Sequence, residues 1–361
     1  MAGKNFDGEA ITMLLEFLPN GAEKINALKG YLKEADEAEE AYYQLVWRYE
    51  YAYQEYFYGD PVKAMPVAAE FMEIYEAAPH TLDDVPDNGG AESYLMITQM
   101  GLDNVVALPQ IPMEEWEAMM DRFYALVKRF HTGHRVYWWQ LARFWQYVDQ
   151  EKAYQYFQKF WKTGRDGLSD CRACERCYAV HMSLLMGDKK AADEYAKPLK
   201  AGRVNFCNDA PKLYRYYYLE DALDSGDLKE AVKYANQLSV KLERRIHDLS
   251  FFGAVIRCFA YSDPDKAIER LECSMPLVLG LWDQMKVYDY YKGAYVCFRQ
   301  LAQERDTAAL SLPEEFPLYN EEGVYPCREL GEWFYEQAKI IGDRFDQRNK
   351  SRYFEINLSK A

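Results

Sequence analysis

No stretch of this 361-residue chain approaches the ~18 consecutive apolar residues that a membrane-spanning helix needs. No apolar run follows a basic N-terminus, as it would in a secretory signal. The expectation is a soluble, cytoplasmic protein with no membrane partner. Positive charge is also short: 43 Lys and Arg face 58 Asp and Glu, for a formal charge of −15. A phosphate backbone needs a basic face, so this balance argues against DNA or RNA as the main ligand. Histidine is scarce and scattered (His80, His131, His134, His181, His247). No His-Glu-x-x-His pair, Walker loop or Gly-x-Ser-x-Gly elbow occurs, and carboxylate pairs such as Glu114-Glu115 and Asp83-Asp84 read as solvated caps and loops. A non-enzymatic protein is expected. Eight cysteines in so long a chain do not make a secreted disulfide framework. Cys177, Cys258, Cys273 and Cys297 fall on helical apolar faces and read as buried thiols in a reducing compartment.

What the chain has is aromatic side chains, 16% of residues, and a unit written repeatedly. Gly187-Asp188-Lys189-Lys190-Ala191-Ala192 and Gly226-Asp227-Leu228-Lys229-Glu230-Ala231 are hinges between antiparallel helices. Glycine supplies the left-handed residue that ends the first helix. Aspartate then accepts orphan N–H groups at the start of the second, and Glu230 completes a capping box with Asp227. The alanine five residues after each glycine lets the helices approach closely. The same offset joins Gly59-Asp60 to Ala64, Val148-Asp149 to Ala153 and Ser262-Asp263 to Ala267, with a weaker copy from Gln303-Glu304 to Ala308. Proline after Asp60 and Asp263 suits a first helical position.

The flanking faces repeat in register. Seven residues before each hinge stand Ala52, Leu141, Val180, Leu219, Val255 and Val296; four past the alanine stand Ala68, Phe157, Ala196, Ala235, Leu271 and Leu312. Each helix thus carries one apolar stripe. From 148 to 303 the hinges recur roughly every 36–41 residues, near the ~34 of a known helical repeat.

On these features, the Gly-Asp hinge, the alanine at its offset and the paired helices, residues 38–312 resemble the tetratricopeptide repeat family. The resemblance implies an all-α, right-handed α-solenoid of antiparallel helix pairs, a tetratricopeptide-like superhelix with N- and C-terminal capping helices. Asp170-Cys171-x-x-Cys174, Gly187-Asp188, Pro198, Gly202-Arg203, Cys207, Pro211 and Phe345-Asp346-Gln347-Arg348-Asn349 are also similar to bacterial tetratricopeptide-like proteins of unassigned function, which implies a bacterial origin. Residues 1–37 read as a loose start and two capping helices. Residues 38–312 hold the repeats, irregular at 79–131, with a loop at 79–90. Residues 313–361 read as an extended segment, a closing helix at Cys327–Arg344 and a polar tail anchored by Phe354 and Ile356.

Two groups carry possible chemistry. Cys171 and Cys174 are one helical turn apart, and Cys207 opens the next first helix, so packing of neighbouring first helices brings three sulfurs together. Zinc takes four ligands at about 2.0–2.3 Å; Cys177, Asp170, Asp209 and His181 are candidates for the fourth. A structural zinc, or a redox centre whose thiolates lean on a helix N-terminus and on Arg172 or Arg176, is weighed against plain buried thiols. No other cofactor is implied. Eleven residues before the hinges stand Arg48, Arg176, Arg215 and Lys292, with Tyr137 and Phe251 between. In a solenoid these align, and cations interleaved with aromatics suit an acidic protein or peptide segment. The alternative is that their stems pack between helices and pair with local carboxylates. A binding scaffold with this aromatic, Arg-lined concave surface is the first functional expectation, a metal- or redox-responsive protein centred on the cysteines the second. A peptide-pheromone sensor would need an effector domain, and no separate helix-turn-helix precedes the repeats.

Overall fold

Helices start where capping chemistry puts them. The structure, a computed structural model, describes residues 6–83, 90–205 and 207–361. The expected loose start at 1–5, and Asp84 with the rest of 84–89 in the expected loop, lie outside these residues. Asp149, Asp188, Asp227 and Asp263 each accept the backbone N–H three residues on, at 3.0, 2.9, 3.0 and 3.3 Å, satisfying one orphan donor at each helix start. Gly187 and Gly226 have φ of 72° and 76°, the left-handed region where a Cβ is disfavoured. The following N–H groups then turn back on the preceding helix, Asp188 to the Ser183 carbonyl at 2.9 Å and Asp227 to that of Ala222 at 2.8 Å. Ala64, Ala153, Ala192, Ala231 and Ala267 are all buried.

Among the described residues the chain is all-helical apart from one small two-stranded sheet, and it forms two compact units. The first comprises Met1–Val106, Glu114–Gln140 and Gly164–Leu168. It holds α1 (Gly8–Phe17), α2 (Ala22–Glu37), α3 (Ala41–Tyr58), α4 (Ala64–Ala77), α5 (His80–Asp83), most of α6 (Gly90–Ala107), α7 (Met113–Phe130) and the start of α8 (His134–Trp145). Part of the expected 79–90 loop is therefore the short helix α5, and the helix expected at 91–100 runs on to Ala107. Helix α3 packs on α2 and α4, burying Trp47, Leu45 and Ala52.

The second unit comprises Ala107–Met113, Leu141–Thr163 and Ser169–Ala361. It holds α9 (Gln150–Lys162), α10 (Arg172–Leu185), α11 (Lys189–Lys200), α12 (Ala210–Asp224), α13 (Leu228–Ser239), α14 (Leu249–Ser262), α15 (Pro264–Val278) and α16 (Gln284–Glu304). Then come β1 (Thr307–Ala309), β2 (Val324–Pro326), α17 (Cys327–Asn349) and α18 (Tyr353–Ser359). Pairs form as the hinges require: α10 with α11, α12 with α13, α14 with α15. First members also pack on one another, α10 on α12, α12 on α14 and α14 on α16. Val180, Leu219, Val255 and Val296, the residues seven before each hinge, are buried between them. Among the described residues no helix is long and apolar enough to cross a membrane.

The weak copy at Gln303-Glu304 is corrected. Helix α16 ends at Glu304, and Ala308 lies in β1, paired antiparallel with Tyr325 of β2; Pro313 and Pro317 downstream cannot serve a helix interior. The tail is also firmer than expected. Asp346 accepts the N–H groups of Phe354 and Glu355 at 3.1 and 2.8 Å, capping α18. Phe354 is buried, but Ile356 is exposed and Leu358 is the second anchor. Arg348 donates to the Leu108 carbonyl at 3.0 Å and lies between the Phe144 and Phe345 rings. The Phe345–Asn349 motif thus holds this end of the unit together.

Candidate functional site

The expected column of cations does not stay open. Arg48, only 6% exposed, donates to Asp36 of α2 at 2.8 Å and Glu70 of α4 at 3.0 Å. Lys292, 4% exposed, reaches Glu220 at 3.3 Å and Asn357 at 3.0 Å. Both are committed to internal carboxylates and amides because a buried cation is stable only when paired. Arg215 lies over the ring of Tyr214 and donates to Gln237 of α13 and to the Pro211 carbonyl. Arg176 is partly exposed. Tyr137, in the first unit, stacks on Tyr124 at 4.7 Å, and Phe251 is buried.

The sulfurs do come together. Cys171 is the N-cap of α10, its Sγ accepting the Cys174 N–H at 3.3 Å. Cys207 repeats the arrangement before α12, its Sγ accepting the Ala210 N–H at 3.4 Å. Cys174 Sγ lies 3.1 Å from Cys207 Sγ, and the three sulfurs lie within 4.8 Å of one another. Hydrogen bonds from Cys174 and Cys207 hold the Cys171 thiol far below its ordinary range, whereas the same sharing, with burial, pushes Cys174 up. None of the four residues weighed as a further ligand belongs to this group. Cys177 donates to the Ala210 carbonyl, Asp170 accepts from the Tyr178 hydroxyl, Asp209 pairs with Arg245, and His181 meets Gln146 at 2.6 Å.

A second constellation lies outside the column of residues expected to bind. His181 stacks on Tyr217 with ring centroids 4.3 Å apart, and adjacent Tyr216 meets Phe251 of α14 at 5.0 Å. Tyr147 packs edge-on to Tyr353 of α18 at 5.3 Å. Tyr147, Tyr178, Tyr216, Tyr217, Tyr353, Glu220 and Asp289 are all partly exposed residues. Burial nonetheless raises all five phenols, and the Asp289 charge raises Tyr147, Tyr216 and Tyr353 further. Burial also opposes the charge on Glu220, but Lys292 and Arg257 offset it and hold that carboxyl low. Burial opposes the charge on Asp289 more than Lys292 and a hydrogen bond from Ser250 favour it, and pushes it up to about 6. A sequence signal existed: nine and six residues before the hinges stand Tyr178 and Tyr217, then His181 and Glu220, one turn apart and so on a shared face of each helix, away from the column chosen.

Compared with known proteins, the chain matches no family model and no curated protein.

Asp289 gives a pH prediction. Its native pKa of about 6 exceeds the ~3.9 of an unfolded aspartate. Between those values the folded chain holds a proton that the unfolded chain has lost, so this group makes stability fall as pH rises through the window. Asp289→Asn should therefore be more stable than the parent at pH 8, with the gap closing as pH drops toward 4. Urea denaturation at the two pH values checks it; a constant gap refutes it.

Proposed function

We propose that this protein is a non-enzymatic recognition scaffold, a tetratricopeptide-like solenoid of helix pairs whose second unit holds a protein or peptide segment on its tyrosine-lined face. The side-by-side packing of α10, α12, α14 and α16 supports the solenoid. All eight cysteines are unpaired, which suits a reducing, cytoplasmic setting. One observation carries the binding reading. Tyr147, Tyr178, Tyr216, Tyr217 and Tyr353 all stay partly exposed, and the Asp289 carboxyl acts on three of them, Tyr147, Tyr216 and Tyr353. Aromatic faces supply contact area at low entropy cost and attract cations.

This chemistry changes the expected ligand. An acidic segment suits a ladder of free cations, but Arg48 and Lys292 are paired within the chain. Glu220 is likewise held by Lys292 and Arg257, so the face instead offers the Asp289 carboxyl among π-rings, which fits a segment carrying Lys or Arg. Arg176 and Arg215 remain for an acidic group at its edge. Binding of fluorescent peptides of equal length, one set bearing Lys and Arg and the other Asp and Glu, tests the reading. The basic set should bind more tightly, and Asp289→Asn should weaken it by about tenfold, near 1.4 kcal/mol. Higher salt should weaken it too. Preference for the acidic set, or unchanged affinity in the variant, would rule the reading out.

A further inference from the structure

We propose that Cys171, Cys174 and Cys207 bind one zinc ion through three thiolates, leaving the fourth coordination position to water or another small exchangeable donor. Three features of the site support this. The first is spacing. Tetrahedral zinc with Zn–S near 2.3 Å separates its sulfurs by about 3.8 Å. Here Cys174 and Cys207 are 3.1 Å apart and all three sulfurs lie within 4.8 Å, so one ion reaches all of them after adjustments of under about 1 Å per pair. The second is orientation. Cys171 and Cys207 each receive a backbone N–H from the residue three places on, a contact that turns a sulfur lone pair toward the donor and supports the charge of a bound thiolate. Both lie at the start of a helix, α10 of 14 residues and α12 of 15, where the positive dipole end favours anionic sulfur.

The third is the missing fourth ligand. Cys177, Asp170, Asp209 and His181 each have a partner elsewhere, and among the described residues the group contains three protein donors. Cys171 and Cys207 are partly exposed, so solvent reaches the open position. Zn²⁺ accepts one lone pair from each of three thiolates, any proton still on a thiol passes to the buffer, and the site carries a net charge of −1. The ion would join the start of α10 to the start of α12.

The test uses the full chain, purified in a phosphine reductant and stripped with a chelator. Mass spectrometry for metals should find one zinc per chain after reloading, and Co²⁺ should give sulfur-to-metal charge-transfer and tetrahedral d–d bands. Cys171→Ser and Cys207→Ser should each weaken zinc binding at least ~100-fold, more than the loss of an outer partner alone. Cys273→Ser, at a partly exposed thiol outside the group, should bind as the parent does. Zinc should raise the melting temperature of the parent but not of Cys207→Ser, whose zinc-free melting curve shows that it folds. Added small-molecule thiol should shift the Co²⁺ d–d bands by entering the open position. Failure of the stripped parent to take up zinc, undiminished binding in Cys171→Ser, or uptake of copper(I) alone would overturn the proposal. So would Co²⁺ bands indifferent to added thiol, which would mean four protein ligands.

Discussion

Replacing Asp248 with alanine should cost about 3–5 kcal/mol, the scale set by breaking a buried ion pair from one side. Asp248 is fully buried, and Lys212 beside it is only 2% exposed. Its carboxylate accepts from Lys212 Nζ at 2.8 Å, from the Glu243 N–H at 2.9 Å and from Arg245 Nε at 3.3 Å. Removing it strands a buried ammonium and leaves the part-buried Glu243 N–H without its acceptor. Lys212 keeps a longer contact to Asp209 at 3.6 Å, which sets the loss toward the lower end. Replacing Lys212 by methionine in the same chain should recover part of it, because a neutral side chain of similar volume leaves no orphaned charge. Urea denaturation of the single and double variants decides; a single-variant loss below about 1 kcal/mol with unchanged slope would contradict the buried pair.

The second large effect runs against helix propensity. Glycine inside a helix is worse than alanine by about 1 kcal/mol, so Gly293→Ala looks stabilising from the sequence. In the structure α14 and α16 cross at Gly253 and Gly293. A Cβ on Gly293 would lie 2.8 Å from the Gly253 carbonyl carbon and closer still to its oxygen, while one on Gly253 would meet the backbone of Asp289 and Tyr290. Backbone atoms cannot swing aside as a side-chain tip can, so overpacking of about 1–3 kcal/mol or more outweighs the propensity gain. Gly293→Ala should therefore melt below the parent, and Gly30→Ala, where a Cβ meets nothing within 4 Å, should not. A stabilised Gly293→Ala would show that the helices do not touch there.

That contrast marks what the sequence could convey. Hinges were legible because caps are local: an aspartate finds its N–H three residues on, whatever the rest of the chain does. The Cys171, Cys174 and Cys207 grouping was legible for a related reason, since it needs only one helical turn and the packing of adjacent first helices. Arg48 and Lys292 were not, because an offset from a hinge fixes where a side chain leaves its helix but not which carboxylate meets it. Arg48 turned to α2 and α4, and Lys292 to Glu220 of α12. The tyrosine-lined face was harder still. Tyr147 and Tyr353 are neighbours only once α18 has folded back, and α18 depends on the Asp346 cap.

The starts of α10, α12 and α14 are joined by two unlike fastenings. Sulfur bridges the first gap; the Lys212–Asp248 pair bridges the second. Thiol-directed reagents can therefore loosen one seam and have no handle on the other. Local opening, followed by amide exchange, would divide the second unit unevenly, with the hairpin of α10 and α11 answering to the chemistry of its surroundings while the helices beyond hold fast.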